Sequence, residues 1–438
     1  MEIFDILIIL AGAMTGTIMG FLPGISASIT VVLFFPILVH LNPINTICFY
    51  GAMVIVSQYM GSVTAIKLGV PGEQSSLPAV REGYPLSKIG LTEMAIKTTA
   101  LFSAVGSVIA LIFFAGITFN LEVLIQTFAN KIQLAMVMMI LLMVTFSCNN
   151  KIYINFCLLL FGCLLGKIGY NGDTGNSWGT FGYTYLELGV PSLAVLTWLF
   201  VFPTLYHTAF ENTIQEAKII KSVKKVYQDT KFFFLSIRSS IVGFIIGVVP
   251  FSWPLSSQIV WTIEKWLQKS KYKNPNIRCL VGAETANNSA VTASLIPLLM
   301  LGLPITASEM IIYDIIVSNG FFWDNNWFSD NINILLITFF VANIIGFILA
   351  WPMANYITKM FGKSTLTALK VAMIFLLIVY FYRASEMDVE WLYAIWLLVL
   401  APIGFSLRKL DLIPIVIGYF LVERFLTLSN IFIARITF

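Results

Sequence analysis

The chain has 438 residues, of which 58% are hydrophobic and only 11% charged, and its mean hydropathy is +0.88. A soluble domain carries roughly 25% charged residues, so the composition excludes a soluble globular protein and defines a polytopic integral membrane protein. The net charge of +4 comes from Lys and Arg gathered in connecting segments, as the positive-inside rule produces, and gives no ground for a nucleic-acid partner.

The first apolar segment begins at Ile3 without a basic start or a small-residue cleavage site, and reads as retained rather than as a cleaved signal. It ends in Gly16-xxx-Gly20-xx-Pro23-Gly24, followed by Ile25-Ser26-Ala27-Ser28. A polar stretch, Ser57-Gln58-Tyr59-Met60-Gly61-Ser62-Val63-Thr64-Ala65-Ile66-Lys67, then leads into Leu68-Gly69-Val70-Pro71-Gly72. Apolar runs near 98–119, 132–147, 183–205, 332–354 and 388–407 approach or reach the ~20 residues a helix needs to cross a bilayer. Turn-punctuated alternating segments of the β-barrel kind are absent. A lysine-rich connector, 207–238, divides the chain into halves at 1–206 and 239–438 and is expected on the cytoplasmic side.

The second half repeats the first in order. Gly243-xxx-Gly247-xx-Pro250 echoes the first break, and Leu301-Gly302-Leu303-Pro304 echoes the second. Between Pro250 and the basic loop Lys269–Arg278 there is room for only a short helix, so 239–268 reads as a re-entrant hairpin or two half-spans. The lysine-free segment 320–333, with Trp323 and Trp327, is expected on the opposite side. The loop after the first half's second break, 73–97, carries both basic and acidic residues, while its second-half equivalent around 320–333 is acidic, and this difference predicts inverted repeats.

Proline lacks an amide donor and glycine tolerates unusual dihedrals, so each break frees backbone groups that hydrocarbon cannot satisfy. Such backbone persists at membrane depth only where it lines protein or water. Paired breaks in two halves point to a solute site near the bilayer midplane. The helix start after Pro23 offers unpaired amides and two hydroxyls to an anion. The richest polar stretch, Gly282 to Ser294, places Glu284, Asn288 and Thr292 on one helical face, with Asn287 and Ser294 flanking. Their carboxamide and hydroxyl oxygens suit Na⁺, and the amides can donate to a carboxylate; interhelical hydrogen bonding is the competing reading. Thr306-xx-Glu309 fits a capping box, which makes Glu309 a cap rather than a proton carrier. Lys67 either offsets a solute's charge or pairs with Glu73 or reaches the surface.

Enzymatic chemistry is poorly supplied. The two histidines, His40 and His207, lie in no metalloprotease motif, and no nucleophile elbow or phosphate loop is present. The cysteines Cys48, Cys148, Cys157, Cys163 and Cys279 form no metal-ligand spacing and read as buried thiols.

At these residues the chain resembles the large membrane subunit of the tripartite tricarboxylate transporters, the TctA family. The resemblance rests on Gly16-xxx-Gly20-Phe-Leu-Pro-Gly24, Tyr59-Met-Gly61-Ser62 through Pro71-Gly72, Glu82-Gly83-Tyr84-Pro85-Leu86 with Gly90, and Glu284-Thr-Ala-Asn287-Asn288-Ser289-Ala through Pro297 to Pro304. It implies a secondary transporter of the bacterial inner membrane that receives a carboxylate from a periplasmic solute-binding protein. It also implies a small four-helix membrane subunit as partner and a cation gradient as driving force. Lys67, Gly69, Glu73, Phe251 and Ile305 depart from the family pattern, and a tricarboxylate beside Glu73 would be repelled.

The sequence therefore predicts an all-α polytopic membrane protein of two inverted structural repeats with broken or re-entrant helices. Its function is expected to be import of an organic carboxylate without an organic cofactor, coupled to Na⁺ or H⁺. Gly24, Ser26, Ser28, Gly61, Ser62, Thr64, Gly72, Asn287, Asn288 and Thr306 are the expected solute contacts. Asn287, Asn288 and Thr292 are the expected cation ligands. Gly20, Pro23, Pro71, Pro250, Gly302 and Pro304 are expected to break the helices. An uncoupled permease or channel stays open as the alternative, with an intramembrane enzyme or non-transporting scaffold behind it.

Overall fold

The computed structural model describes residues 3–22, 25–70, 74–148, 150–171, 175–211, 232–249, 253–267, 276–321, 327–351, 353–356 and 365–436. Among them, eight helices are long and apolar enough to cross a membrane, so the protein is a multi-pass membrane protein. In chain order the helices are α1 (Ile3–Phe21), α2 (Ala27–Leu33), α3 (Phe35–Leu38), α4 (Pro43–Leu68), α5 (Tyr84–Lys88), α6 (Thr92–Ser147) and α7 (Ile152–Lys167). A small antiparallel hairpin, β1 (Gly169–Asn171) and β2 (Asn176–Trp178), precedes α8 (Ser192–Leu196) and α9 (Phe202–Tyr206). The second half holds α10 (Phe232–Val248), α11 (Trp253–Leu267), α12 (Ile277–Leu301), α13 (Ala307–Ser318), α14 (Trp327–Ala350), α15 (Thr365–Glu386), α16 (Glu390–Leu407) and α17 (Ile413–Ile436).

Two of the apolar runs join in α6, and another is shorter than its hydropathy suggests. The run 183–205 is helical only from Ser192, because Thr184–Leu188 forms a 3₁₀ turn. Gly189 then takes a positive φ of 73° ahead of Pro191, which stops continuation.

The core is organised around α4 and α12. The apolar central stretch of α4 is wholly buried, and every residue from Cys279 to Leu299 of α12 is buried despite its polar composition. Helix α1 packs on α4 through Gly12, Gly16 and Gly20, which face the backbone of Phe49, Met53 and Ser57. Helix α10 packs on α12 in the same manner, Gly243 and Gly247 facing Ala286 and Ala290. Small residues four apart let the backbones of membrane helices approach closely, so the repeated glycine motif is a repeated packing contact. The helix ends repeat as well. Gly69 and Gly302 terminate α4 and α12 in the left-handed conformation, at φ 71° and 57°, each two residues before a proline that cannot continue the helix.

The hairpin expected over 239–268 corresponds to two short helices, α10 and α11, which pack on each other and on α12. Pro23, Gly24, Pro71, Gly72, Glu73, Pro250, Phe251, most of the connector 207–238, most of the loop 269–278 and Trp323 lie outside the described residues.

Candidate functional site

The two central helices meet through polar side chains contributed by opposite halves of the chain. Asn287 Nδ2 donates to Gln58 Oε1 at 3.0 Å, and Ser62 Oγ bonds Glu284 Oε2. Moving one turn back along α4 moves nearly one turn forward along α12, so the helices pass in opposite directions. The 3₁₀ turn Gln74–Ser76, which follows Pro71-Gly72 in the sequence, joins the same network. Ser75 Oγ donates to Gln58 Oε1 at 3.3 Å, and Ser257 Oγ of α11 donates to the Ser75 carbonyl at 2.7 Å. Segments that follow two of the four breaks thus meet at one contact.

A small recess opens beside it, lined by Gly20, Thr30, Ser57, Gln58, Gly61 and Ser76. The end of α1, the start of α2, the middle of α4 and the 3₁₀ turn build its walls. Ser26 N-caps α2, its hydroxyl accepting from Ile29 N at 3.4 Å; Ser28 is buried on the same short helix. Of the expected solute contacts, Gly61 lines the recess and Ser26 and Ser28 flank one of its lining residues, Ala27.

The other expected residues fall elsewhere or bond locally. Thr64 Oγ1 donates to its own helix at Met60 O, 3.1 Å away, and reaches Phe21 O at 3.4 Å. Thr292 Oγ1 bonds back to Asn288 O at 3.3 Å. Thr306 forms the N-cap of α13 in a full capping box, with Glu309 Oε2 accepting from Ile305 N and Thr306 N. Helix α13 packs on α2, and Ser308 reaches α4 through Tyr50 at 2.8 Å. Lys67 Nζ donates to Asn355 Oδ1 at 2.6 Å and Ala354 O at 3.3 Å.

In the centre of α12, oxygen acceptors outnumber donors. Among the described residues, Glu284 Oε1, Asn287 Oδ1 and Asn288 Oδ1 are buried and have no hydrogen-bond partner. Native proteins leave few such groups unsatisfied, and each calls for an explanation. The amide orientations are fixed by their nitrogens, since Asn287 Nδ2 faces the Gln58 oxygen and Asn288 Nδ2 faces the Glu284 carbonyl at 3.0 Å.

Sequence reasoning had placed Glu284 on this face without a role and had given none to Gln58, Ser75 or Ser257. The polar run around Gln58 was a usable signal. The approach of Ser75 and Ser257, brought together from separate halves, left no sequence trace.

A second polar knot holds the halves together. Glu82, in the π turn before α5, accepts from Asn276 N at 2.7 Å and Trp261 Nε1 at 2.8 Å, and pairs with Lys265 Nζ at 2.6 Å. The buried Glu264 pairs with Arg238 and with Arg278 Nε, the latter at 3.0 Å. Both acids anchor the start of α12 to α11 and α10.

Fold and site together define a multi-pass membrane protein with a buried polar contact between α4 and α12. The chain belongs to the tripartite tricarboxylate transporter TctA family, whose sequence model matches residues 6–417. It is also 28% identical over 299 residues to a protein of Agrobacterium vitis described as an "Uncharacterized 52.8 kDa protein in TAR-I ttuC' 3'region". That match covers 67% of this chain and 60% of the relative's own length. No solved structure matches the chain.

Proposed function

We propose that this protein is the large membrane subunit of a secondary transporter of the bacterial inner membrane, importing an organic carboxylate by alternating access with a cation as driver. Family membership supports transport as the class. The observation that carries the reading further is the three unpartnered oxygens of α12, joined to the recess through Gln58, which bonds Asn287 and lines the recess. Oxygen acceptors of this kind suit a hard cation, and a helix start with free amides suits a carboxylate. Asn287 and Asn288 are assigned to the cation, with Thr292 supporting Asn288 through its carbonyl. Gly24, Ser26, Ser28, Gly61, Ser62 and Gly72 are assigned to the solute, and Thr64 and Thr306 to the walls that hold these segments.

The opposed passage of α4 and α12, together with their matched glycine contacts and left-handed ends, supports inverted repeats. Such repeats give alternating access by rocking about a fixed site. The protein is read as a transporter rather than an enzyme because the family to which it belongs is one of transporter subunits.

A periplasmic solute-binding protein and a small four-helix subunit complete the assembly in this reading. Carboxylate uptake into proteoliposomes should require both with the full chain. Full-rate uptake by the chain alone would move it outside the tripartite class.

A further inference from the structure

We propose that Glu284, Asn287 and Asn288 form a site for one alkali cation of Na⁺ size that fills before any carboxylate enters. The inference deepens the transport reading and rests on it for the identity of the anion. Its basis is the balance of donors and acceptors between α4 and α12. The side chains of Glu284, Asn287 and Asn288 are 0%, 1% and 3% exposed, so bulk solvent does not reach their free oxygens. All three lie within little more than one turn of a single helix, at spacings that put Glu284 beside both asparagines.

The Ser62 hydroxyl sharpens the deficit. It carries one proton, yet it lies within bonding distance of both Glu284 Oε2 and the Gln58 carbonyl, the latter at 3.0 Å. The Gln58 carbonyl already accepts the Ser62 amide within α4, so when the hydroxyl proton turns to it, Glu284 Oε2 is left without a donor as well. One added proton pairs with one of these oxygens and leaves both carboxamide oxygens buried and bare. A metal ion accepts several oxygen ligands at once, and so answers the whole cluster.

Charge then selects the class of ion. A single carboxylate balances a single positive charge, whereas Ca²⁺ sites draw on several carboxylates and 6–8 oxygens, and the described residues hold no group of three or more His, Cys, Asp or Glu that could supply them.

The order of binding follows from position. Gln58 both bonds Asn287 and lines the recess, so one side chain separates the proposed cation from the proposed anion. In surroundings poor in water, a bare Glu284 repels an entering carboxylate with little screening. With the cation seated, the centre is neutral and its field no longer opposes the anion.

The test uses Na⁺ alone. The full chain in lipid nanodiscs, free of carboxylates, is titrated with NaCl against choline chloride at constant ionic strength, following thermal stability and ²²Na⁺ binding. The wild-type chain should bind one Na⁺ with a saturable rise in stability that choline does not give. Glu284→Gln, which keeps the shape and removes the charge, should weaken Na⁺ binding tenfold or more. Absence of saturable Na⁺ binding by the wild-type chain, or wild-type Na⁺ dependence in Glu284→Gln, would overturn the proposal. The wild-type measurement decides the matter even if the variant does not fold. Carboxylate uptake driven by a pH gradient with no Na⁺ binding would overturn this inference and leave the transport reading standing.

Discussion

Gly247→Val should leave almost no folded protein in the membrane. A Cβ at this position would lie 2.6 Å from Ala290 Cα and 2.8 Å from its carbonyl carbon, and these are backbone atoms that no rotamer change can move. Relief requires α10 to separate from α12, which breaks the contact on which the second half is built. Overpacking against a rigid neighbour costs about 3 kcal/mol or more, a large share of the 5–15 kcal/mol that stabilises a typical domain. The first-half equivalent, Gly20→Val, should behave alike, because its Cβ would meet Ser57 Cα at 2.8 Å. Gly116→Ala is the control, since nothing lies within 4 Å of its added carbon. Monodisperse protein recovered in mild detergent is the readout. Wild-type recovery of Gly247→Val would show that α10 and α12 do not meet in this way.

Asn288→Ala should raise the cation concentration for half-maximal uptake tenfold or more while leaving the amount of folded protein nearly unchanged. The side chain donates to the carbonyl of its own helix at Glu284 and leaves Oδ1 unpartnered, so truncation removes an oxygen that joins no other element. Each tenfold weakening corresponds to ~1.4 kcal/mol, within the range expected for one good ligand. An asparagine serving only to join helices predicts the reverse pattern. Reduced yield with unchanged cation dependence would assign Asn288 to packing.

Much of the fold was legible because its determinants are local. Gly69 and Gly302 before their prolines announced where α4 and α12 stop, whereas the glycines four residues apart, which the sequence suggested were part of the breaks, lie inside α1 and α10 as packing contacts, and α1 continues through Gly20. The Thr306-Glu309 box was readable because all its partners lie within one turn. The run 183–205 was misjudged because hydropathy averages over Gly189 and Pro191, whose dihedral constraints delay the helix to Ser192.

The site was only partly legible. A polar helix face could be drawn around Glu284, Asn288 and Thr292, but periodicity does not tell a free hydroxyl from one bonded back to its own helix, as Thr292 is. Nor does spacing reveal that Ser62 meets Glu284, or that Lys67 turns to Asn355. Those pairings depend on how the halves dock, and each half carries only one member.

The central claim is that a cation gradient drives a carboxylate through this chain. The direct measurement is accumulation of a radiolabelled carboxylate, chosen by its binding to the cognate solute-binding protein, in proteoliposomes holding the full chain and its small subunit. Imposing an inward Na⁺ gradient should concentrate the carboxylate above its external level, and collapsing that gradient with a Na⁺ ionophore should release it. Equilibration to the external level, with the same rate whether or not a cation gradient is present, would contradict the account and leave an uncoupled permease.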